Sequence, residues 1–115
     1  MTFDKSLLAG SSTMLILKLL DGQDMYGYQM IEELSRRSDH TFELKTGTLY
    51  PLLHGLESKE LITSYEKDET TQRTRRYYHL SAKGRRLLED KQKEWDAYTK
   101  AVSLVLKGGA CFATA

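Results

Sequence analysis

The stretch from residue 49 to residue 56, LYPLLHGL, carries leucines at positions 49, 52, 53 and 56. This i, i+3, i+4, i+7 spacing is typical of a helix with one apolar face. The other face carries small or weakly polar residues: Gly47, Pro51, His54 and Ser58. Proline has no N–H and is best tolerated in the first turn of a helix, so Thr46 or Thr48 is predicted as the N-cap. The second face is therefore either solvated or in contact with something other than the core.

Two more helices are predicted before this stretch. A dense apolar run predicts a mostly buried helix over about residues 11–20. After a break in the pattern, Met30, Ile31 and Leu34 recur at helical spacing. This spacing predicts a short amphipathic helix with Asp24 as its N-cap.

The period changes after residue 60. Residues 61–65 are rich in β-branched and aromatic side chains, as is typical of a strand. Residues 73–80 alternate and form a second predicted strand, so a hairpin with a polar loop is expected. Its faces would carry Arg76, Tyr78 and Leu80 on one side and Arg75, Tyr77 and His79 on the other.

A long last helix is predicted from residue 82 to residue 106, with Ser81 as its N-cap. Its apolar residues form a seam that the small body of the chain cannot cover. A second copy is the simplest partner, because symmetric homodimers are the commonest oligomers. The predicted dimer interface consists of Leu88, Trp95, Tyr98, Val102, Val105 and Leu106.

Three short helices followed by a hairpin is the order of a winged helix-turn-helix domain. The predicted fold is therefore mainly α with a small β-hairpin. The expected divisions are a winged-helix domain over residues 1–81, a dimerisation helix over 82–107 and a disordered tail over 108–115. In such a domain the third helix presents its outer face to the major groove of DNA.

The net charge of +1 conceals an uneven distribution along the 115 residues. Residues 1–56 carry a net charge of −2, residues 57–72 carry −3, and residues 87–115 are neutral. Residues 73–86 carry +6 with no acidic residue. This segment includes the second strand of the hairpin, which is the predicted wing of the domain. A basic run on the wing favours phosphate binding, although a charge run can also be simply a solvated face. The six basic residues are Arg73, Arg75, Arg76, Lys83, Arg85 and Arg86.

Several classes of protein are excluded. The single cysteine, Cys111, cannot form an internal disulfide and cannot supply a thiol-based zinc site. The longest apolar run, residues 14–20, is too short to span a bilayer, so a cytoplasmic location is expected. Histidines occur singly and the common catalytic motifs are absent, which predicts no enzymatic activity, no cofactor and no metal.

The motifs LYPLLHGLE at residues 49–57 and RRYYHLS at residues 75–81 resemble those of the PadR-like family of bacterial transcriptional regulators. The segment YGYQM at residues 26–30 also resembles the start of that family's second helix. The resemblance covers roughly residues 13–98. It implies a dimeric repressor that binds inverted-repeat operators and is released by a small effector.

The resemblance also implies roles for particular residues. The start of the third helix would approach DNA, its outer face would meet the groove, arginines would serve the wing, and one tyrosine would lie near a phosphate. For Tyr50, packing remains an equal alternative to contact with DNA. The implied DNA-contacting residues are Tyr26, Lys45, Thr46, Gly47, Thr48, Tyr50, Pro51, His54, Arg73, Arg75 and Arg76.

Trp95 is the candidate effector-binding residue. In some small members of the family, a tryptophan at the matching place pairs with its twin across the dimer and sandwiches a flat aromatic ligand. Stacking and apolar burial would favour such binding. Leu7, Met14, Tyr98 and Val102 would line the same cavity. The alternative is that Trp95 only packs in the dimer interface.

A second class of function stays open. The same fold can dock proteins as well as DNA, so a winged-helix protein–protein interaction module is the main alternative. The two classes differ in their response to salt, because binding to DNA phosphates weakens steeply as the salt concentration rises.

Overall fold

A computed structural model of the chain describes residues 3–69 and 73–108. Four helices and three short strands follow one another along these residues, and the predicted fold class is confirmed. In chain order they are α1 (Lys5–Leu19), β1 (Met25–Tyr26), α2 (Gly27–Arg37), α3 (Thr46–Ser58), β2 (Ile62–Asp68), β3 (Thr74–Leu80) and α4 (Ala82–Lys107). Most of the tail predicted to be disordered, including Cys111, lies outside the described residues.

The first helix begins earlier than its apolar run indicated. α1 starts at Lys5, and the Asp4 carboxylate accepts a hydrogen bond from the Ser6 N–H at 3.3 Å. A capping aspartate satisfies one of the N–H groups that a helix start leaves without a partner. Residues 6–10 are exposed, so the apolar side chains of Leu7 and Leu8 do not continue the buried run that begins near residue 11.

The predicted N-cap of α2 is wrong. Tyr26 is the N-cap, and its N–H donates to Gln29 Oε1 at 3.1 Å. Asp24 lies before the two-residue strand β1, and its carboxylate accepts hydrogen bonds from Tyr65 and His79 instead. The pairing of Met25 with Tyr78 keeps this segment extended and so delays the start of the helix.

The predicted cap of α3 is also wrong. Thr46 is already helical and Lys45 is the N-cap, which places Pro51 in the second turn instead of the first. Pro51 cannot donate to the carbonyl of Gly47, four residues earlier. Gly47 is exposed, so water can satisfy that carbonyl. The solvent-facing position of both residues explains why the helix continues through a proline.

β3 is the central strand of an antiparallel sheet with the order β1-β3-β2. The predicted hairpin is present, with Ile62 opposite Leu80 and Asp68 opposite Thr74. The third strand, β1, was not predicted, because two residues are too few to show a period. Tyr78 and Leu80 are 2% and 4% exposed and face the core, as the alternation indicated.

The prediction for the start of α4 is confirmed. Ser81 Oγ accepts from the Gly84 N–H at 3.0 Å and lies 2.9 Å from the Leu61 carbonyl oxygen, to which it donates. A Cβ added at Gly84 would lie 2.0 Å from that same carbonyl oxygen. A glycine is therefore required where the first turn of α4 crosses the start of the hairpin.

The two halves of α4 differ in burial. Its 26 residues extend over about 39 Å at the rise of an α-helix. Leu88 is only 3% exposed and belongs to the core of its own chain, where α1 packs against α4. Its assignment to an exposed interface is therefore wrong. The large apolar residues exposed further along the helix are Trp95, Tyr98, Val102, Leu104, Val105 and Leu106.

Candidate nucleic-acid interface

The N-terminus of α3 is open to solvent. The four residues from Lys45 to Thr48 are exposed, and in the described part of the chain no side chain caps this helix start. The partial positive charge of a helix N-terminus, with its N–H groups, favours a phosphate oxygen. Four residues predicted to contact DNA thus lie together at a place suited to an anion.

A groove separates α3 from β3 and the start of α2. We call it the recognition groove. From the α2 and α3 sides, Tyr26, Gly27, Tyr28, Tyr50 and His54 line it, and from the β3 side, Arg73, Thr74, Arg75, Arg76 and Tyr78 line it. Six of the eleven residues predicted to contact DNA are in this lining. The structure therefore brings together residues that are up to 50 positions apart in the sequence.

Tyr50 packs inside the recognition groove. A Cβ at Gly27 would lie 2.4 Å from the Tyr50 hydroxyl oxygen, so the Tyr50 ring occupies the space that a side chain at residue 27 would take. Tyr50 is partly buried, whereas Pro51 and His54 on the same helix are exposed. This geometry accounts for Tyr50 as a packing residue, while Pro51 and His54 form the outward face that the leucine spacing predicted.

Arg75 lies over an aromatic ring. Its guanidinium carbon is 4.2 Å from the centroid of the Tyr26 ring, within the range of a cation–π interaction. Tyr26 in turn meets Tyr77 edge to face, with ring centroids 5.4 Å apart. Tyr26, predicted to lie near a phosphate, and Arg75, predicted to serve the wing, are therefore in direct contact.

Arg76 is on the other face of β3 from Arg75, and it also lines the recognition groove. Its guanidinium donates to Ser64 Oγ at 2.8 Å and lies 3.9 Å from the Glu66 carboxylate. Ser64 donates to Glu57 of α3 at 2.5 Å. These hydrogen bonds join α3 to β2 and β3, and they give the Arg76 side chain a partner within the protein.

The basic run of residues 73–86 is not one continuous surface. Arg85 forms an ion pair with Asp21, which follows α1, and so its charge is used in joining α4 to the body of the chain. Arg73, Lys83 and Arg86 are exposed. The interpretation of all six basic residues as one phosphate-binding footprint is therefore corrected: Arg73, Arg75 and Arg76 line the groove, and Arg85 does not.

Asp24 is a junction that sequence reasoning missed. Its carboxylate accepts from the Tyr65 hydroxyl at 2.7 Å and from His79 Nδ1 at 2.8 Å. Partial burial acts to raise the pKa of Asp24, but the hydrogen bonds from Tyr65 and His79 outweigh it and hold this pKa below its ordinary value. The turn before β1 is thereby fastened to both longer strands.

Tyr77 carries a second polar link. Its hydroxyl donates to Glu69 Oε1 at 2.6 Å. This hydrogen bond, together with partial desolvation and the carboxylate charge, raises the pKa of Tyr77 to about 12. The phenol therefore stays protonated and remains a donor to the base of the wing loop at neutral pH.

The candidate effector residues fall into two groups. Leu7 of α1 and Trp95 and Tyr98 of α4 are 59%, 41% and 65% exposed. Met14 is partly buried and packs against the core. A ligand could thus reach three of these four predicted residues from solvent.

Two general features complete the description. Within the described residues, no group of three or more His, Cys, Asp or Glu side chains is arranged to hold a metal ion. No helix in the same part of the chain combines the length and apolar character needed to cross a bilayer.

Comparisons with known proteins agree with this architecture. The model of the transcriptional regulator PadR-like family matches residues 16–90. An uncharacterized protein of Lysinibacillus sphaericus is 32% identical over 102 residues, which cover 89% of this chain and 94% of that protein. The transcriptional regulator Rv3488 of Mycobacterium tuberculosis is 33% identical over 79 residues, 69% of this chain and 70% of that protein.

Solved structures of transcriptional regulators also resemble this chain in fold and sequence. A PadR family transcription regulator from Clostridium difficile is 35% identical, with a TM-score of 0.73, over 84% of this chain and 98% of that chain. A transcriptional regulator from Clostridium thermocellum is 30% identical, with a TM-score of 0.78, over 85% of this chain and 95% of that chain. The family match spans α2, α3, the wing and the first part of α4. The chain therefore belongs to the PadR-like family of transcriptional regulators.

Proposed function

We propose that this protein is a sequence-specific DNA-binding repressor that acts as a homodimer on an inverted-repeat operator and is released by a small effector. One observation carries the proposal. The exposed N-terminus of α3 and the recognition groove, with Arg73 and Arg75 in its lining, belong to a chain of a transcriptional regulator family. The repressor role and the release by an effector rest on the family resemblance. Such a protein would act in the cytoplasm, where bacterial DNA lies.

The DNA-contacting roles follow from position. α3 would enter the major groove with Thr46 and Gly47 leading, since small side chains allow the helix start to approach a phosphate closely, and Thr48 would reach base edges. Pro51 and His54 on the outward face would meet base edges or the backbone. Arg73 and Arg75 would bind phosphates beside the groove, with no preference for sequence.

The distal segment of α4, residues 95–107, supports the homodimer. Tyr98, Val105 and Leu106 are 65%, 77% and 80% exposed, although apolar side chains gain about 25 cal/mol for each Å² removed from water. Trp95 and Val102 recur at a seven-residue interval beside them, as in helices that pack against one another. A second copy would cover these residues and present two α3 helices to one operator.

The effector role is proposed for Trp95. A flat aromatic molecule held between the Trp95 rings of two copies would gain stacking and apolar burial. Titration of the dimer with a hydrophobic dye is expected to quench or shift Trp95 fluorescence. Unchanged fluorescence in a well-folded dimer would remove the effector role and leave Trp95 as an interface residue only.

The DNA-binding function is tested by the effect of salt on affinity. The logarithm of the binding constant for duplex DNA should fall linearly with the logarithm of salt concentration, with a slope of about −0.9 for each phosphate neutralised. A protein–protein interaction module of the same fold would show no affinity for duplex DNA at low salt. That result would replace the DNA-binding proposal with its alternative.

A further inference from the structure

Three tyrosines form one lateral row across the outer face of the sheet, and we call them the tyrosine row. In the strand register, Tyr77 of β3 lies opposite Tyr26 of β1 on one side and opposite Tyr65 of β2 on the other. The Tyr65 and Tyr77 rings stack with centroids 5.8 Å apart and an interplanar angle of 14°. Tyr26 meets Tyr77 at 77°. Tyr77 therefore touches both other members of the row.

Two cations lie over this row. Arg75 is centred over Tyr26 at 4.2 Å, and Lys67 Nζ is 5.3 Å from the Tyr77 centroid. Lys67 and Arg75 are themselves register partners. A cation is attracted to the face of an aromatic ring, so the position of the Tyr26 ring sets where the Arg75 guanidinium rests. The edge contact from Tyr77 is the aromatic contact that holds that ring from the side of β3.

The hydroxyl of Tyr77 reaches the base of the wing loop. It donates to Glu69 Oε1, and the Glu69 N–H donates to the Arg73 carbonyl at 2.8 Å. Beside this pair, Thr74 Oγ1 donates to Asp68 Oδ1 at 2.9 Å. Tyr77 is thus connected by its ring to the support under Arg75 and by its hydroxyl to the residue bonded to Arg73.

Both connections of Tyr77 end beside an arginine of the wing. We propose that Tyr77 is a positioning residue: it holds Tyr26 under Arg75 and Glu69 against the backbone of Arg73, and it affects DNA binding only through these two arginines. The effect on DNA rests on the proposed function, whereas the support of Arg75 rests on the geometry of the chain alone. If Tyr77 only stabilised the sheet, its substitution would weaken DNA binding whether or not Arg73 and Arg75 are present.

The support of Arg75 is tested without DNA. In the NMR spectrum, protons of the Arg75 side chain above the Tyr26 ring are expected to resonate upfield of their usual position. Tyr77→Leu should move them back toward the usual position. Tyr77→Phe, which keeps the ring, should leave them in place but speed hydrogen exchange of the Glu69 amide. Unchanged Arg75 signals in a folded Tyr77→Leu protein would overturn the proposed support.

The effect on DNA is tested with a double-mutant cycle. The probe is a fluorescein-labelled duplex of mixed sequence, and urea unfolding checks that each variant folds. Tyr77→Leu should weaken binding about fivefold in the wild-type background and less than about twofold when Arg73 and Arg75 are both already alanine, because residues that act through one another are not additive. Thr63→Ala, on the same sheet face but outside the row, is the matched control and should leave affinity unchanged.

The outcomes separate the two claims. Equal losses from Tyr77→Leu in both backgrounds would contradict the positioning role and leave DNA binding in place. Absence of wild-type affinity for the duplex at low salt would contradict the proposed function, and the Arg75 signals would then decide the support of Arg75 by themselves. If Tyr77→Leu and Thr63→Ala weakened DNA binding equally, Tyr77 would contribute only to the stability of the sheet, and the proposal would be overturned.

Discussion

The recognition groove and the distal segment of α4 differ in how far their side chains have partners within one chain. In the groove, Arg75 rests over Tyr26 and Arg76 bonds to Ser64, so charged groups have fixed positions before any DNA arrives. In the distal segment, Val105 and Leu106 remain 77% and 80% exposed. One chain therefore orders the charged groups of its recognition groove by itself, whereas the distal segment leaves large apolar side chains uncovered. The difference predicts separate consequences for damage at each end.

The largest effect is expected in the distal segment. Val102→Glu places a charge among the exposed apolar residues and should convert the dimer to a monomer. Affinity for a symmetric operator should fall about 100-fold or more, because the second half-site contact becomes an independent binding event. Sedimentation equilibrium and operator titration measure the two effects.

Ser103→Glu is the matched control for that experiment. It adds the same charge at the next position, which is also solvent-exposed but outside the apolar set. The Ser103 variant should remain dimeric with unchanged affinity. A Val102→Glu protein that stays dimeric would show that the distal segment does not form the interface.

The next effect concerns phosphate contacts in the groove. Arg73→Ala combined with Arg75→Ala should weaken binding to every DNA sequence by about tenfold, since two solvent-exposed charge contacts at about 0.7 kcal/mol each together cost about 1.4 kcal/mol. The salt slope should flatten by about 0.9 for each phosphate released. Sedimentation should be unchanged, because neither residue lies in the distal segment. A loss confined to one sequence would contradict the backbone-contacting role.

A smaller and more selective effect is expected at the start and outer face of α3. Thr48→Ala or His54→Ala should reduce affinity for the preferred operator about fivefold, the cost of about one hydrogen bond, and leave affinity for random DNA unchanged. Competition between the two duplexes measures this directly. Equal losses on both duplexes would argue against base readout by α3.

The smallest effect is a pH dependence of the stability of the fold, caused by the Asp24 carboxylate. The pKa of Asp24 is depressed in the folded state, so the carboxylate stabilises the fold above its ordinary value of 3.8, and this stabilisation is lost as the pH falls through the lower folded value. Asp24→Asn should unfold at lower urea concentration at neutral pH. The difference from wild type should shrink below about pH 4. A difference that is constant with pH would contradict the role of the charge.

Hydrophobic spacing predicted most of the fold. The leucines of α3, the alternation of β3 and the Ser81 cap each depend on a local pattern, and local patterns are visible in sequence. Asp24 failed as a cap because its carboxylate is taken by Tyr65 and His79, which are 41 and 55 positions away. The extra strand β1 likewise exists only because β3 lies beside it.

The candidate site was predicted in outline but not in its internal connections. Exposure of Gly47, Pro51 and His54 follows from the period of α3. The tyrosine row depends on the register of three strands, and no single segment contains that information. The roles of Arg85 and Leu88 were predicted wrongly for the same reason. Arg85 forms an ion pair with Asp21, and Leu88 packs in the core, so both contact residues that lie far away in the sequence.

The most direct test of the account is a selection of bound duplexes from a random DNA pool by the wild-type protein. We expect enrichment of a two-fold symmetric consensus whose half-sites are separated by about 10 base pairs, one turn of DNA, or a multiple of it. Such a result would link the groove of each copy to one half-site and the distal segment to their spacing. A pool with no enriched sequence after repeated rounds would contradict the account.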